Sequence, residues 1–243
     1  MHWLQRILGD PAHDIAPQVM NRSQHATKDD SRVAAARCAR HSVYAGWGRL
    51  LTRELAPLPS PATFCSPRWP AGHATWRVVE TDTSTIVVSD GLSDPFVEEN
   101  IPGGYQVEVC AETPGRFAEI ADSWLFELVH EVAQLVAGCG DFVDLLAQHP
   151  CIATVMELPT LPEHLKDADG QSGALVGLPT PRFPQWLDLP DGPVRLLPIK
   201  LLTPQELEYV ISVDGDEDRR QQLAAHFAGP QGHLSLLNRP SVV

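Results

Sequence analysis

Thr75-Trp76-Arg77-Val78-Val79-Glu80, then Thr81-Asp82-Thr83, then Ser84-Thr85-Ile86-Val87-Val88-Ser89: two runs rich in β-branched and aromatic residues flank a short polar triplet. Such side chains fit a pleated, half-buried surface, and the triplet reads as a hairpin turn. Downstream, Gly91-Leu92-Ser93-Asp94-Pro95-Phe96 reads as a loop and Pro102-Gly103-Gly104 as a turn. Tyr105-Gln106-Val107-Glu108-Val109-Cys110 alternates like a strand with one buried face. The period then changes. From Gly115 to Ala137, Phe117, Ile120, Ala121, Trp124, Leu125, Leu128, Val129, Val132, Leu135 and Val136 recur at three- and four-residue steps. This predicts a helix with an apolar stripe wide enough to lie across a sheet, ended by Gly138 and Gly140. Further strands are predicted at Ala153–Leu158, Gly173–Leu178, Trp186–Asp188 and Val194–Leu202. Thr203, Pro204 and Glu206 form a capping-box pattern opening a helix over Pro204–Ile211, and a last helix covers about Glu217–Phe227. The fold class is α+β: a mixed or antiparallel sheet backed by helices.

Upstream the chain reads differently. Residues 1–56 form a helical N-terminal arm. Its main helix is placed over Arg32–Leu55, capped by Asp29-Asp30-Ser31, with Gly46 and Gly48 weakening its middle. Residues 57–73 carry Pro57, Pro59, Pro61, Pro67 and Pro70 and read as a linker and the main domain boundary. Residues 74–243 are then the α+β domain.

Charge divides along the same line. The whole chain of 243 residues has a formal net charge of −13. Residues 1–73 hold nine Lys/Arg against five acids, and residues 74–243 hold nine against 26. A surface of that sign in the main domain excludes nucleic acid and an anionic membrane surface as its partners, because phosphate neutralisation needs basic groups. For the basic arm an anionic contact stays open. No apolar run approaches the ~20 residues of a membrane span, and Met1–Arg6 is not followed by an apolar core of signal-peptide type. The five cysteines, Cys38, Cys65, Cys110, Cys139 and Cys151, are odd in number and widely spaced, which fits a reducing cytoplasm.

Motifs for chemistry are weak. Gly170-Gln171-Ser172-Gly173 is followed by Ala174, so the nucleophile-elbow pattern fails, and no phosphate-cradling loop occurs. Asp214-Gly215-Asp216-Glu217-Asp218 opens like a calcium loop, but Arg219 and Ala225 occupy the positions that need Gly and Glu. His130, Cys139, His149 and Cys151 are suitable zinc ligands at a spacing that matches no closed structural site, and His130 reads as a structural histidine. No catalytic residue, metal or cofactor is assigned. The alternative is a small-molecule enzyme with an unrecognised site near His149 and Cys151. A third reading is a scaffold whose arm self-associates. The loop Asp90–Glu99 carries Asp90, Asp94, Glu98 and Glu99 beside Phe96, and acids around an exposed aromatic suit a basic protein partner.

From residue 70 onward the ordered segments resemble the suppressor-of-fused domain family. The resemblance rests on Trp76–Thr81, Gly91–Phe96 and Gly104–Val109, then the helix with Trp124-Leu125 and Leu128. Toward the C-terminus it adds Gly192-Pro193-Val194-Arg195-Leu196-Leu197-Pro198-Ile199, Leu202–Tyr209 and Asn238-Arg239-Pro240-Ser241-Val242. It implies a mixed α/β domain that binds other proteins and has no catalytic centre. Animal members of that family hold a short extended peptide of a zinc-finger transcription factor between two domains, and this chain lacks a counterpart of the second. Short bacterial members are proposed immunity proteins that bind and neutralise a toxin. The implied function is therefore a cytoplasmic, non-enzymatic immunity or inhibitor protein meeting a basic protein.

Overall fold

The computed structural model describes residues 22–59, 67–72, 74–96, 99, 101–139, 142–149, 151–211 and 217–243; for residues 22–30 and 217 only the backbone course is described. Helix α1 spans Arg22–Trp47. Strands β1 to β4 follow at Arg49–Leu50, Trp76–Glu80, Ser84–Ser89 and Val107–Pro114. Helices α2 and α3 are Trp124–Cys139 and Phe142–Gln148. Then come β5 (Ile152–Met156), β6 (Ser172–Val176), β7 (Trp186–Leu189) and β8 (Gly192–Leu201), and finally α4 (Pro204–Ile211) and α5 (Glu217–His226).

Eight strands form one mixed sheet in the order β1-β2-β3-β4-β8-β6-β5, with β7 also paired to β8. The β2–β3 hairpin has the register Trp76↔Ser89 to Glu80↔Thr85. Its turn is closed from within: Thr81 N donates to Ser84 O (2.9 Å), and Thr81 Oγ1 accepts from Thr83 N and Ser84 N (3.2 and 2.9 Å). β4 and β8 are the parallel pair (Val107↔Arg195 to Cys110↔Pro198), with α2, α3 and β5 to β7 in the crossover. β8 is long enough to serve two neighbours on one flank: its start pairs with β7 and its end with β6.

The period-2 alternation sorts side chains onto two covered faces. Trp76, Val78, Val87, Val107, Val109, Leu197 and Ile199 pack beneath α2, joined by Leu125, Phe126, Leu128, Val129, Val132 and Val136. Val79, Ile86, Val88, Cys110, Leu187, Leu189, Val194 and Leu196 face the other way, against Tyr44, Val43 and Trp47 of α1. A smaller apolar cluster lies under α4 and α5 (Leu175, Leu178, Leu202, Val210, Leu223, Phe227). Among the described residues no helix is long and apolar enough to cross a membrane.

Several sequence expectations are borne out. The α+β class, the hairpin, the strands near 153, 173, 186 and 194 and the helix over Pro204–Ile211 all appear. The capping box is reciprocal: Glu206 N donates to Thr203 Oγ1 (3.4 Å) and Thr203 N to Glu206 Oε2 (2.9 Å).

Others are corrected. α1 runs through Asp29-Asp30-Ser31 instead of starting there, and it stops at Trp47 rather than Leu55. Gly48 explains the stop: a Cβ at that position would lie 2.6 Å from the Glu80 carbonyl oxygen, so the chain turns against β2 where only glycine fits. Residues 49–55 then run along the hairpin edge, with Leu51 N to Val78 O (2.9 Å) and a reciprocal bridge between Leu55 and Trp76 (3.0 and 3.2 Å). The helix expected from Gly115 begins at Trp124. β4 continues to Pro114, Gly115 adopts φ +87°, and Ser123 Oγ caps the helix by accepting from Phe126 N (3.2 Å). The short helix α3 had no predicted counterpart. Asp214, Gly215 and Asp216 of the acidic stretch, Cys65 and, with it, residues 60–66 and 73 of the proline-rich stretch lie outside the described residues.

Candidate functional site

The loop expected to present acids to a partner turns its first half inward. Asp90 and Asp94 are fully buried, and they meet Arg40 of α1 and Glu108 of β4, also fully buried. Arg40 Nε donates to Asp90 Oδ1 (2.7 Å) and Nη1 to Ser93 Oγ (3.0 Å); Nη2 lies 2.7 Å from Asp94 Oδ1. That last contact is close but poorly aligned: neither Asp94 oxygen nor Nη2 completes a hydrogen bond there, so it is ionic. Glu108 accepts from Gly91 N, Ser93 N and Ser93 Oγ (3.2, 3.0 and 2.6 Å) and from Ser89 Oγ. His41 Nε2 is 2.6 Å from Asp90 Oδ2, and Tyr44 donates to Ser89 O (3.1 Å). The loop is thus tied to α1 and β4 at once.

Three carboxylates share one guanidinium, and the shifts of Arg40, Asp90 and Asp94 follow from their places. Burial alone would lower the Arg40 pKa, but Glu108, Asp94 and Asp90 outweigh it and hold the guanidinium charged. Burial pushes Asp90 up, yet the bonds from His41 and Arg40 win and its carboxyl stays below the usual range. For Asp94 burial wins, reinforced by Glu108 and Asp90, and its carboxyl rises to about 6. The cluster therefore holds a proton on Asp94 far more readily than on Asp90, which limits the net charge left in the interior.

Farther along the loop, Phe96 and Glu99 are occupied by the chain itself. Phe96 is half-buried, edge-on to Tyr105 at 5.2 Å, and the Arg68 guanidinium sits over its ring at 5.0 Å. Arg68 also pairs with Glu99. Glu98 lies outside the described residues. Of the five positions read as a protein-binding set, Asp90 and Asp94 are therefore inaccessible, and Phe96 and Glu99 already carry an arginine.

Several described arginines of the first 73 residues are paired in the same way. Arg32 pairs with Asp191 (3.1 Å), Arg49 with Glu80, Arg53 with Glu119 (3.8 Å) and Arg68 with Glu99, in addition to the Arg40 cluster. The change of sign along the sequence is matched across an internal interface. Of these arginines Arg40 is wholly buried, whereas Arg49, Arg53 and Arg68 pair at the surface. The signal that would have exposed the anchor is the row Ala36-Arg40-Tyr44: at i, i+4, i+8 these share one stripe, and all three are buried.

Other buried charges knit the C-terminal tail to the sheet. Glu112 of β4 accepts from Arg182 Nε (3.0 Å) and from Ser84 Oγ and faces His233 Nε2 (3.0 Å). Burial pushes its carboxyl up, but His233, Ser84 and Arg182 bring it below the usual range. Glu206 pairs with Arg239 and accepts from Val242 N (3.1 Å). Lys200 donates to Leu234 O beside the Phe227 ring, and burial, with Arg239 nearby, brings its ammonium down to about 7.

The potential metal ligands are dispersed. His130 Nε2 accepts from Leu58 N (3.1 Å), which leaves Nδ1 to face Glu131 (2.9 Å), and its ring packs on Trp76 at 5.0 Å: a structural histidine. Cys151 is 2 % exposed in the apolar cluster under α4 and α5, away from solvent, whereas His149 is half-buried at the end of α3. Among the described residues no group of three or more His, Cys, Asp or Glu is placed to hold a metal ion. A cleft between Pro102, Gly103, Gln106 and Asp191–Val194 holds about 180 Å³, below the roughly 300–1,000 Å³ of small-molecule sites. No known family model matches the sequence, and no curated protein matches it.

Proposed function

We propose that this chain is a non-catalytic, protein-binding domain of suppressor-of-fused type, an immunity or inhibitor protein that neutralises a basic toxin or another basic protein. The observation that supports this is the imbalance left on the surface once internal pairs are formed. Arg32, Arg40, Arg49, Arg53, Arg68, Arg77, Arg116, Arg182 and Arg239 are all engaged with carboxylates of the same chain. Asp82, Asp122, Asp144, Glu157, Asp169, Asp188, Glu208 and Asp218 remain exposed. An acidic exterior steers a cationic partner and speeds its association. Because the paired arginines cannot compensate that field, the binding would be governed by ionic strength. Among the described residues Cys38, Cys110, Cys139 and Cys151 form no disulfide, which suits a reducing cytoplasm.

The test is affinity capture on the immobilised full chain at low salt with elution at high salt, then calorimetry on each purified retained protein. The expected result is a basic protein whose affinity falls at least tenfold as ionic strength rises from 50 to about 300 mM, within the range of charge-steered complexes. If the only retained proteins are acidic or their binding is indifferent to salt, the reading fails.

A further inference from the structure

Strand β7 ends the sheet on the flank of β8. Among the described residues it pairs with β8 alone, in the register Trp186↔Arg195, Leu187↔Val194, Asp188↔Pro193 and Leu189↔Gly192. Antiparallel residues alternate between those that bond the partner strand and those whose N–H and C=O point away. Leu196 N donates to Gln185 O (3.0 Å), which sets Gln185, Leu187 and Leu189 in the bonded class. The backbone groups of Trp186 and Asp188 therefore point outward, and among the described residues none of them has a hydrogen-bond partner.

Side chains follow the same alternation. Leu187 and Leu189 are buried on the α1 face. Trp186 and Asp188 project from the opposite face, two residues apart and so about 6–7 Å along the strand. Trp186 is 51 % exposed, more than any other large apolar side chain described, and Asp188 is exposed and unpaired among the described residues. Arg195, opposite Trp186, donates to Leu146 O on α3 and is already engaged (3.2 Å). The free charge on the strip is the Asp188 carboxylate. The other edges differ: β1 is two residues long, and β5 exposes no side chain. β7 itself carries no lysine, and Pro184 and Pro190 lie just outside it, so both outward N–H groups remain available.

We infer that the outer edge of β7 is the docking strip for an extended basic segment of the protein partner, which adds as a further strand and lays a lysine or arginine across Trp186 and against Asp188. The inference rests on the basic-partner reading above and names where that partner is met. Main-chain bonds to Trp186 and Asp188 hold the segment, and the indole face with a carboxylate beside it selects a cation over an acidic or neutral side chain.

The test uses the full chain and a synthetic peptide, acetyl-Lys-Val-Arg-Val-Lys-Val-Arg-amide, with a Glu-for-Lys/Arg version as control. Hydrogen exchange and titration are read together. The expected result is slowed exchange of the Trp186 and Asp188 amides by the basic peptide alone. Affinity should fall at least tenfold in Trp186→Ala and several-fold in Asp188→Asn. Asp188→Pro removes an outward N–H without touching the β7–β8 bonds and is expected to abolish binding; circular dichroism checks that it folds. Binding that leaves those amides unprotected and is unchanged in Trp186→Ala and Asp188→Pro overturns the β7 site while retaining a basic partner elsewhere. Equal binding of the acidic control, or binding of neither peptide together with failure of the salt-dependent capture, overturns both.

Discussion

The two long helices cover opposite faces of one sheet by opposite means. α2 is apolar through most of its length; Trp124, Leu125, Phe126, Leu128, Val129, Val132, Ala133 and Val136 are buried, and it holds the sheet through burial alone. α1 is polar on average, and its buried stripe is Ala36, Arg40 and Tyr44. It is held by the narrow apolar patch of Val43, Tyr44 and Trp47 on the sheet, with Trp47 on Phe183 at 4.9 Å, and by charge. Attachment by apolar area carries no proton linkage of its own, whereas attachment by a buried cluster of carboxylates depends on protonation.

The comparison can be broken most sharply at Arg40 and Trp76. Arg40→Met leaves Asp90, Asp94 and Glu108 buried without their cation and should cost about 3–5 kcal/mol in urea unfolding at pH 7. Most of that loss should return when Asp90, Asp94 and Glu108 are made Asn, Asn and Gln in the same chain. Trp76, wholly buried against Phe126, His130 and Trp69 on the α2 face, should cost a similar 3–5 kcal/mol as Trp76→Ala. The two should part company with pH: the Arg40→Met deficit shrinks toward pH 5 as the orphaned Asp94 takes a proton, and the Trp76→Ala deficit does not.

A smaller effect sharpens the same contrast. Asp94 titrates near 6 in the fold against 3.8 in an unfolded chain, so between those values the folded state holds more protons. Stability should therefore rise as pH falls from about 6.5 to 5. Below the ordinary carboxylate range it should fall again, as Asp90, Glu112 and Glu206, whose folded values are depressed, lose their pairs. Asp94→Asn should flatten the gain and keep the acid limb; a chevron or urea series at each pH reads both, and an unchanged slope would refute the assignment. The smallest effect is at the α4 cap, where Thr203→Ala should cost about 1 kcal/mol at any pH between 5 and 8.

Where local chemistry suffices, the sequence was legible. The 75–89 hairpin needed only β-branched runs and a triplet whose Thr81 hydroxyl closes its own turn. The Thr203–Glu206 box needed only residues three apart. The α2 stripe was correctly placed, though its start was not, because Ser123 outcompetes the periodic residues upstream as a cap. The candidate site was less legible. Asp90 and Asp94 look like any acids of a polar loop, and what buries them is an arginine fifty residues earlier in the chain.

By itself the sequence determined the α+β class, the hairpin, the capped C-terminal helix, the sign of the net charge and its division near residue 73. These depend on neighbours within a few positions or on composition. The tertiary structure decided which charges face water: Arg40 is drawn inside by three carboxylates from two other elements, Arg68 covers the aromatic that looked free, and Trp186 with Asp188 is left outside on the β7 edge. The physical reason is that a charge's environment is set by groups distant in sequence and adjacent in space. The same carboxylate is a buried ligand of arginine in one register and an exposed contact in another.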